Sequence, residues 1–224
     1  MKLPARLAFL AAALAACVGA APNWNTTVSL TEGGGHRLGN PSAKVQLMEF
    51  VSYTCPHCAH FEKEADGVMR LAYVAPGKLS IEVRHVIRNP IDLTATVLAN
   101  CGPKDKFFLN HAAILRSQDK WLKKLQDAGE AQRVRWRTGT HGAKLRALAT
   151  DAGFYQIMAQ RGYDRLQVDR CLSDEAKARQ LATESKVGAE QYGVEVTPSF
   201  ALDGALLAGT HKWADLQPQI VARF

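Results

Sequence analysis

Two cysteines three positions apart, in the run Cys55-Pro56-His57-Cys58, are the residues whose type and spacing most directly specify chemistry in this chain. Such a pair at the start of a helix makes thiol–disulfide exchange available. The first helical turn presents unpaired backbone N–H groups and a partial positive charge. A thiolate there is stabilised, so the Cys55 pKa is expected well below the reference of about 8.5. Cys55, at the cap, makes or receives the intermolecular bond, and Cys58, one turn further in, stays a thiol until it resolves that bond. His57 adds a donor near the sulfur. A stabilised thiolate makes the disulfide more oxidising, because its reduction then releases more free energy. Two other chemistries use the same side chains. One is an inert structural disulfide. The other is metal ligation by Cys55, His57, Cys58 and His60, although zinc sites usually bring a second Cys or His pair at matching spacing and the sequence has none.

The elements that must position these groups are legible around them. Lys44 to Val51 (KVQLMEFV) is a nearly continuous apolar run, as expected of a strand buried on both faces. Beyond the motif, Cys58, Phe61, Ala65, Val68 and Ala72 recur at spacings of three and four, which predicts an amphipathic helix. Pro56 suits its first turn, where the missing N–H costs nothing, and Pro76-Gly77 ends it. Leu79 to Ile87 (LSIEVRHVI) alternates apolar and polar residues and reads as a second strand, parallel to the first in a βαβ unit. Residues 90–192 lack strand-like alternation and read as a helical segment broken at glycines. The end returns to β structure: Val194 to Leu202, an Asp203-Gly204 turn that signals a hairpin, Ala205 to Ala208, and a last helix from about Trp213 to Ala222. The expected class is α/β with one helical insertion.

Pro198 is the second candidate site element. A proline inside an otherwise good strand calls for an edge position or a special backbone. Either it is an ordinary trans edge proline, or Thr197-Pro198 is a cis bond that turns backbone groups of Thr197 outward for a substrate strand to pair with.

Composition bounds the partners and the compartment. The 224 residues are 47% hydrophobic and 22% charged, ordinary for a globular chain and enough for a core. The net charge of +7 falls to +5 once Lys2 and Arg6 are subtracted with the N-terminal segment, too small and scattered for nucleic acid. Residues 1–21 read as an export signal, with Lys2 and Arg6 before the short apolar run Leu7 to Leu14. Val18-Gly19-Ala20 offers an ordinary cleavage site, whereas Leu14-Ala15-Ala16-Cys17 resembles the bacterial lipoprotein box, in which Cys17 would become a lipidated first residue. Either way the chain is expected in an oxidising compartment. Removing Cys17 from the five cysteines leaves four: Cys55, Cys58, Cys101 and Cys171.

A CPHC motif after a buried strand, with Thr-Pro before a β-hairpin and a final helix, resembles the DsbA family of bacterial thiol–disulfide oxidoreductases. The resemblance covers essentially the whole chain after the signal. It implies a thioredoxin-like fold with a central mixed sheet and a large helical insertion: residues 22–40 as leader, 41–89 and 193–224 as the two thioredoxin-like parts, 90–192 as the insertion. It implies a monomeric periplasmic oxidant of newly exported polypeptides, needing no cofactor and reoxidised by a quinone-linked, DsbB-like membrane partner. It places the nucleophile on Cys55, the resolving thiol on Cys58 and the cis-proline on Pro198, with Pro56 and Thr197 beside substrate. Many oxidising members carry valine before that proline, whereas Thr197 is also the residue of reducing or isomerising relatives. Glu49 matches a buried acid beneath the site, where it would relay a proton to or from Cys58; the alternative is a strand-end glutamate that reaches water. Cys101 and Cys171, both in the helical segment of a chain bound for an oxidising space, are expected to pair, with two buried thiols as the alternative.

His85, on the apolar side of its strand, reads as a core histidine, and Trp121 and Trp136 as insertion core. The basic stretch Arg116 to Arg146, with Lys123, Lys124, Arg133, Arg135 and Arg137, reads as a solvated helical face, or as a surface attracted to anionic lipid. Three functions compete: a dithiol oxidase, a disulfide isomerase or reductase, and a non-redox metal carrier. The isomerising relatives generally need an N-terminal dimerisation domain, for which the short leader leaves no room.

Overall fold

The computed structural model describes residues 22–224, so the segment read as an export signal, with Cys17, lies outside the described residues. Within them a six-stranded mixed sheet forms from β1 (Val28–Leu30), β2 (His36–Gly39), β3 (Val45–Val51), β4 (Leu79–His85), β5 (Ser199–Leu202) and β6 (Ala205–Leu206), in the order β1-β2-β4-β3-β5-β6. The central pair, β3 and β4, is parallel, with Leu47 opposite Ile81. That orientation requires a crossover, supplied by α1 (Pro56–Val68). The other pairings are antiparallel.

Helix α1 continues into a wider π turn, Met69–Val74, closed by the bond from Ala75 N–H to the Arg70 carbonyl. Met69 and Val74, five positions apart, are both buried there, the spacing that an i to i+5 turn aligns. Gly77, at φ +77°, then reverses the chain toward β4.

The insertion is helical throughout, as the sequence suggests. It comprises α2 (Pro90–Ala99), α3 (Phe107–Arg116), α4 (Gln118–Gln126), α5 (Glu130–Arg137), α6 (His141–Ala152), α7 (Phe154–Gln160), α8 (Arg165–Ser173) and α9 (Glu175–Tyr192). Cys101 and Cys171 are bonded, with Cα atoms 5.8 Å apart, tying the end of α2 to α8. Trp121 is fully buried against Phe154, and its indole N–H donates to the Ile114 carbonyl. Helix α10 (Trp213–Val221) closes the chain, with Trp213 packed near Phe61 of α1. Among the described residues no helix is long and apolar enough to cross a membrane.

Three sequence expectations are corrected. Residues 22–40, expected as a leader, contribute two strands, because β4 takes its second partner from β2; the Gly-rich run is the turn between them, with Gly34 at φ +80°. Strand β4 alternates in sequence yet is buried on both faces. Its Glu82 is held by Arg37 at 2.9 Å and by the Thr31 hydroxyl at 2.8 Å, and it also pairs with Arg84. Strand β5 starts at Ser199 rather than Val194, since Pro198 has no N–H for a ladder. The Asp203-Gly204 turn is as read: both residues have positive φ, 52° and 86°, as a two-residue hairpin turn requires.

Candidate active site

Buried strand β3 delivers the chain to Ser52, the loop turns, and α1 begins at Pro56 with Cys55 as its N-cap. Cys55 has extended backbone angles (φ −83°, ψ 117°), and its carbonyl accepts the first helical bond, from Ala59 N–H at 3.3 Å. Cys55 and Cys58 are unbonded, so the structure holds the reduced pair. Cys55 is 6% exposed and Cys58 fully buried. Cys55 Sγ lies 3.1 Å from the carbonyl oxygen of Thr197, and the Thr197-Pro198 peptide is cis. That carbonyl thus faces the nucleophile.

The two thiols have opposite electrostatics. The Cys55 pKa is lowered to about 4, first by a hydrogen bond from Cys58, against burial, and then by the Thr197 side chain and the backbone N–H groups of Cys58 and His57. Burial pushes Cys58 well up, and the charges of Cys55 and Glu49 push it further. Glu49, 4% exposed on the core face of β3, is raised well above the usual carboxylate range by burial and then by Glu62 and Asp66. It does not reach water at a strand end.

His57 and His60 lie on the exposed side of α1. With Phe61, Glu64 and His211–Ala214 they line a cleft of about 370 Å³ beside the nucleophile. His211 Nδ1 is 2.7 Å from the Pro198 carbonyl, so that nitrogen carries the proton and donates. His60 sits 3.5 Å from Glu64. Among the described residues, no group of three or more His, Cys, Asp or Glu side chains is arranged to hold a metal ion.

Several groups around the motif carry no signal in the sequence. Gln118, buried at the start of α4, donates to the carbonyls of Tyr53 (2.6 Å) and Cys55 (2.9 Å). Asp92, fully buried in the first turn of α2, accepts from the Ser52 hydroxyl (2.9 Å), Thr54 N–H (2.8 Å) and Arg88 N–H (3.1 Å). Arg88 Nη2 donates to the Thr197 hydroxyl at 3.0 Å. Their partners lie far along the chain; Asp92 itself sits in the first turn of a helix capped by Asn89, with Pro90 as its first residue.

With this geometry in hand, comparison with known proteins decides the family. The thioredoxin family profile matches residues 31–222. A solved structure described as a protein-disulfide isomerase from Novosphingobium aromaticivorans is 54% identical, covers 85% of this chain and 97% of its own, and superposes with a TM-score of 0.80. The chain belongs to the thioredoxin family. Wolbachia pipientis alpha-DsbA1, 18% identical with a TM-score of 0.68 over 86% of this chain and 92% of its own, shares this fold. A relative in Rickettsia bellii, provisionally named a protein-disulfide oxidoreductase, is 29% identical over 168 residues, 75% of this chain and 56% of its own. The chain thus spans about half the length of the curated relatives it matches.

Proposed function

We propose that the protein is an oxidant: it donates the Cys55–Cys58 disulfide to reduced, unfolded polypeptides exported to the periplasm. One observation carries this reading, the Cys55 pKa lowered to about 4 beside a Cys58 raised well above its ordinary value. In the oxidised enzyme a substrate thiolate attacks Cys55 Sγ, the Cys55–Cys58 bond breaks, and Cys58 leaves with the electron pair. A leaving thiolate of high pKa needs a proton. Glu49, itself held protonated by burial, supplies one in this reading. A second substrate thiolate then attacks the substrate sulfur of the mixed disulfide and releases Cys55 as a stable thiolate. The substrate has lost two electrons and two protons, and the enzyme is the reduced dithiol.

The substrate segment would lie along Pro56, Thr197 and Pro198, and a quinone-linked membrane partner of the DsbB kind would reoxidise the pair. The protein would act as a monomer, either free in the periplasm or tethered by a lipid on Cys17. The isomerase reading is supported by the name of the 54% identical Novosphingobium structure and by threonine, rather than valine, before Pro198. Equilibration with a glutathione redox buffer separates the two. An easily reduced disulfide, with rapid oxidation of a reduced unfolded test protein, supports the oxidant. An ordinary Cys55 thiol pKa with a strongly reducing couple supports a reductase, and rescue of a scrambled-disulfide protein supports the isomerase.

A further inference from the structure

Strands β5 and β6 pair with Ala201 opposite Leu206 and Leu202 opposite Ala205. In an antiparallel ladder every second opposed pair is a hydrogen-bonded one. Leu207 N–H accordingly donates to the Phe200 carbonyl at 2.8 Å. The same register makes Gly209 N–H the next donor, to the Pro198 carbonyl. Strand β6 has ended by then, however: Gly209 turns away at φ 73°, and Thr210 N–H closes the turn on the Leu207 carbonyl at 3.4 Å. A side chain takes the vacated place, His211, whose Nδ1 donates to the Pro198 carbonyl at 2.7 Å.

We propose that His211 is a positioning residue for the exchange reaction: its imidazole stands in for the missing ladder amide, fixes Pro198, and so fixes the Thr197 backbone along which an incoming polypeptide brings its sulfur to Cys55. The Thr197 carbonyl stands 3.1 Å from Cys55 Sγ, so a chain whose sulfur reaches that atom passes beside it. The ring is itself well supported. Its neighbour Thr210 accepts from the Gln219 amide of α10 at 2.9 Å, and Trp213 is buried near Phe61 of α1. His211 also lines the cleft beside the nucleophile, together with His57 and His60. An extended segment that docks on a backbone already held in place loses less freedom in ordering the site. A small dithiol has no backbone to align and is indifferent to it. The proposal rests on the dithiol exchange proposed above, and not on its direction.

Two reductants of the Cys55–Cys58 disulfide test it by stopped flow, a reduced cysteine-containing peptide and dithiothreitol. In His211→Leu the rate constant with the peptide is expected to fall about fivefold, the worth of one ordinary hydrogen bond, while that with dithiothreitol stays within about twofold. His211→Asn, whose amide N–H can take the place of Nδ1–H, should recover most of the peptide rate. Equal losses with peptide and dithiothreitol, no loss with either, or an Asn variant no better than Leu overturns the proposal. Should His211→Leu not fold, nitrogen NMR of the wild-type ring decides: a neutral ring protonated at Nδ1 and protected from exchange is expected, and one protonated at Nε2 overturns the proposal. A wild-type disulfide that oxidises neither reductant defeats the exchange reading and this proposal with it. A strongly reducing couple defeats the oxidant assignment alone, because the ratio of peptide to dithiothreitol rates still reports on His211.

Discussion

The Gln118 amide donates two hydrogen bonds into the loop that carries the nucleophile, one of them to the carbonyl of Cys55 at 2.9 Å. The helical insertion is therefore part of the active site's framework. Gln118→Leu strands the Tyr53 and Cys55 carbonyls in a buried place, and a buried group left unpaired costs about 1–3 kcal/mol. Urea unfolding is expected to show a loss of that size, and thiolate absorbance a change in the Cys55 pKa, because the N–H groups around the sulfur lose their fixed direction.

The bond between Cys101 and Cys171 closes a loop with a sequence separation of 70. In the chain-entropy treatment such a closure contributes about 4 kcal/mol through the unfolded state. The double variant Cys101→Ala/Cys171→Ala is expected to unfold at lower urea by an amount approaching that figure, while exchange at Cys55 and Cys58 persists. Equal stability of variant and parent would show that the loop is already constrained in the unfolded chain.

How much of this was readable beforehand depends on the distance over which each contact acts. The βαβ unit, the insertion and the hairpin turn rest on local periodicity and turn chemistry, and the sequence displays all three. Burial of Glu82 was hidden because its partners, Arg37 and Thr31, lie in a segment that reads as a polar leader. Gln118 and Arg88 were invisible for a related reason: each acts on a backbone or hydroxyl oxygen, 63 and 109 positions away respectively, and such acceptors leave no mark in sequence. Glu49 was singled out through the family resemblance, and its burial in an apolar strand fits a carboxyl kept protonated, since a buried charge is costly.

Three buried histidines surround Phe107, and burial depresses all of them: His36 to about 4, His111 to about 3, and His85 well below the usual range. The unfolded chain binds protons at these groups near pH 6.5, whereas the fold does so only well below that. Their contribution is thus fully present above pH 6.5 and is lost as the pH falls toward 3. Glu62, raised to about 8 first by burial and then by Asp66, acts oppositely: its contribution is complete below pH 4.5 and is lost as the pH rises through 8. Stability measured against pH should peak near the top of the histidine window. His111→Gln, which keeps a partner for the Tyr53 hydroxyl, should flatten the acid limb; an unchanged limb would remove His111 from the account.

Glu49→Gln removes the proposed proton donor without changing the shape of the strand. Exchange that requires Cys58 to leave should slow, on the order of a hundredfold at neutral pH. The Cys55 pKa should scarcely move, because Glu49 is not among the groups acting on it. Stopped-flow oxidation of a reduced peptide separates the two effects, and a rate equal to wild type would place the proton elsewhere.

Titrating the Cys55 thiolate by its ultraviolet absorbance tests the central claim most directly. The account predicts a transition near pH 4, in the reduced protein and absent from Cys55→Ala. A sulfur that stays protonated at pH 7 would contradict it.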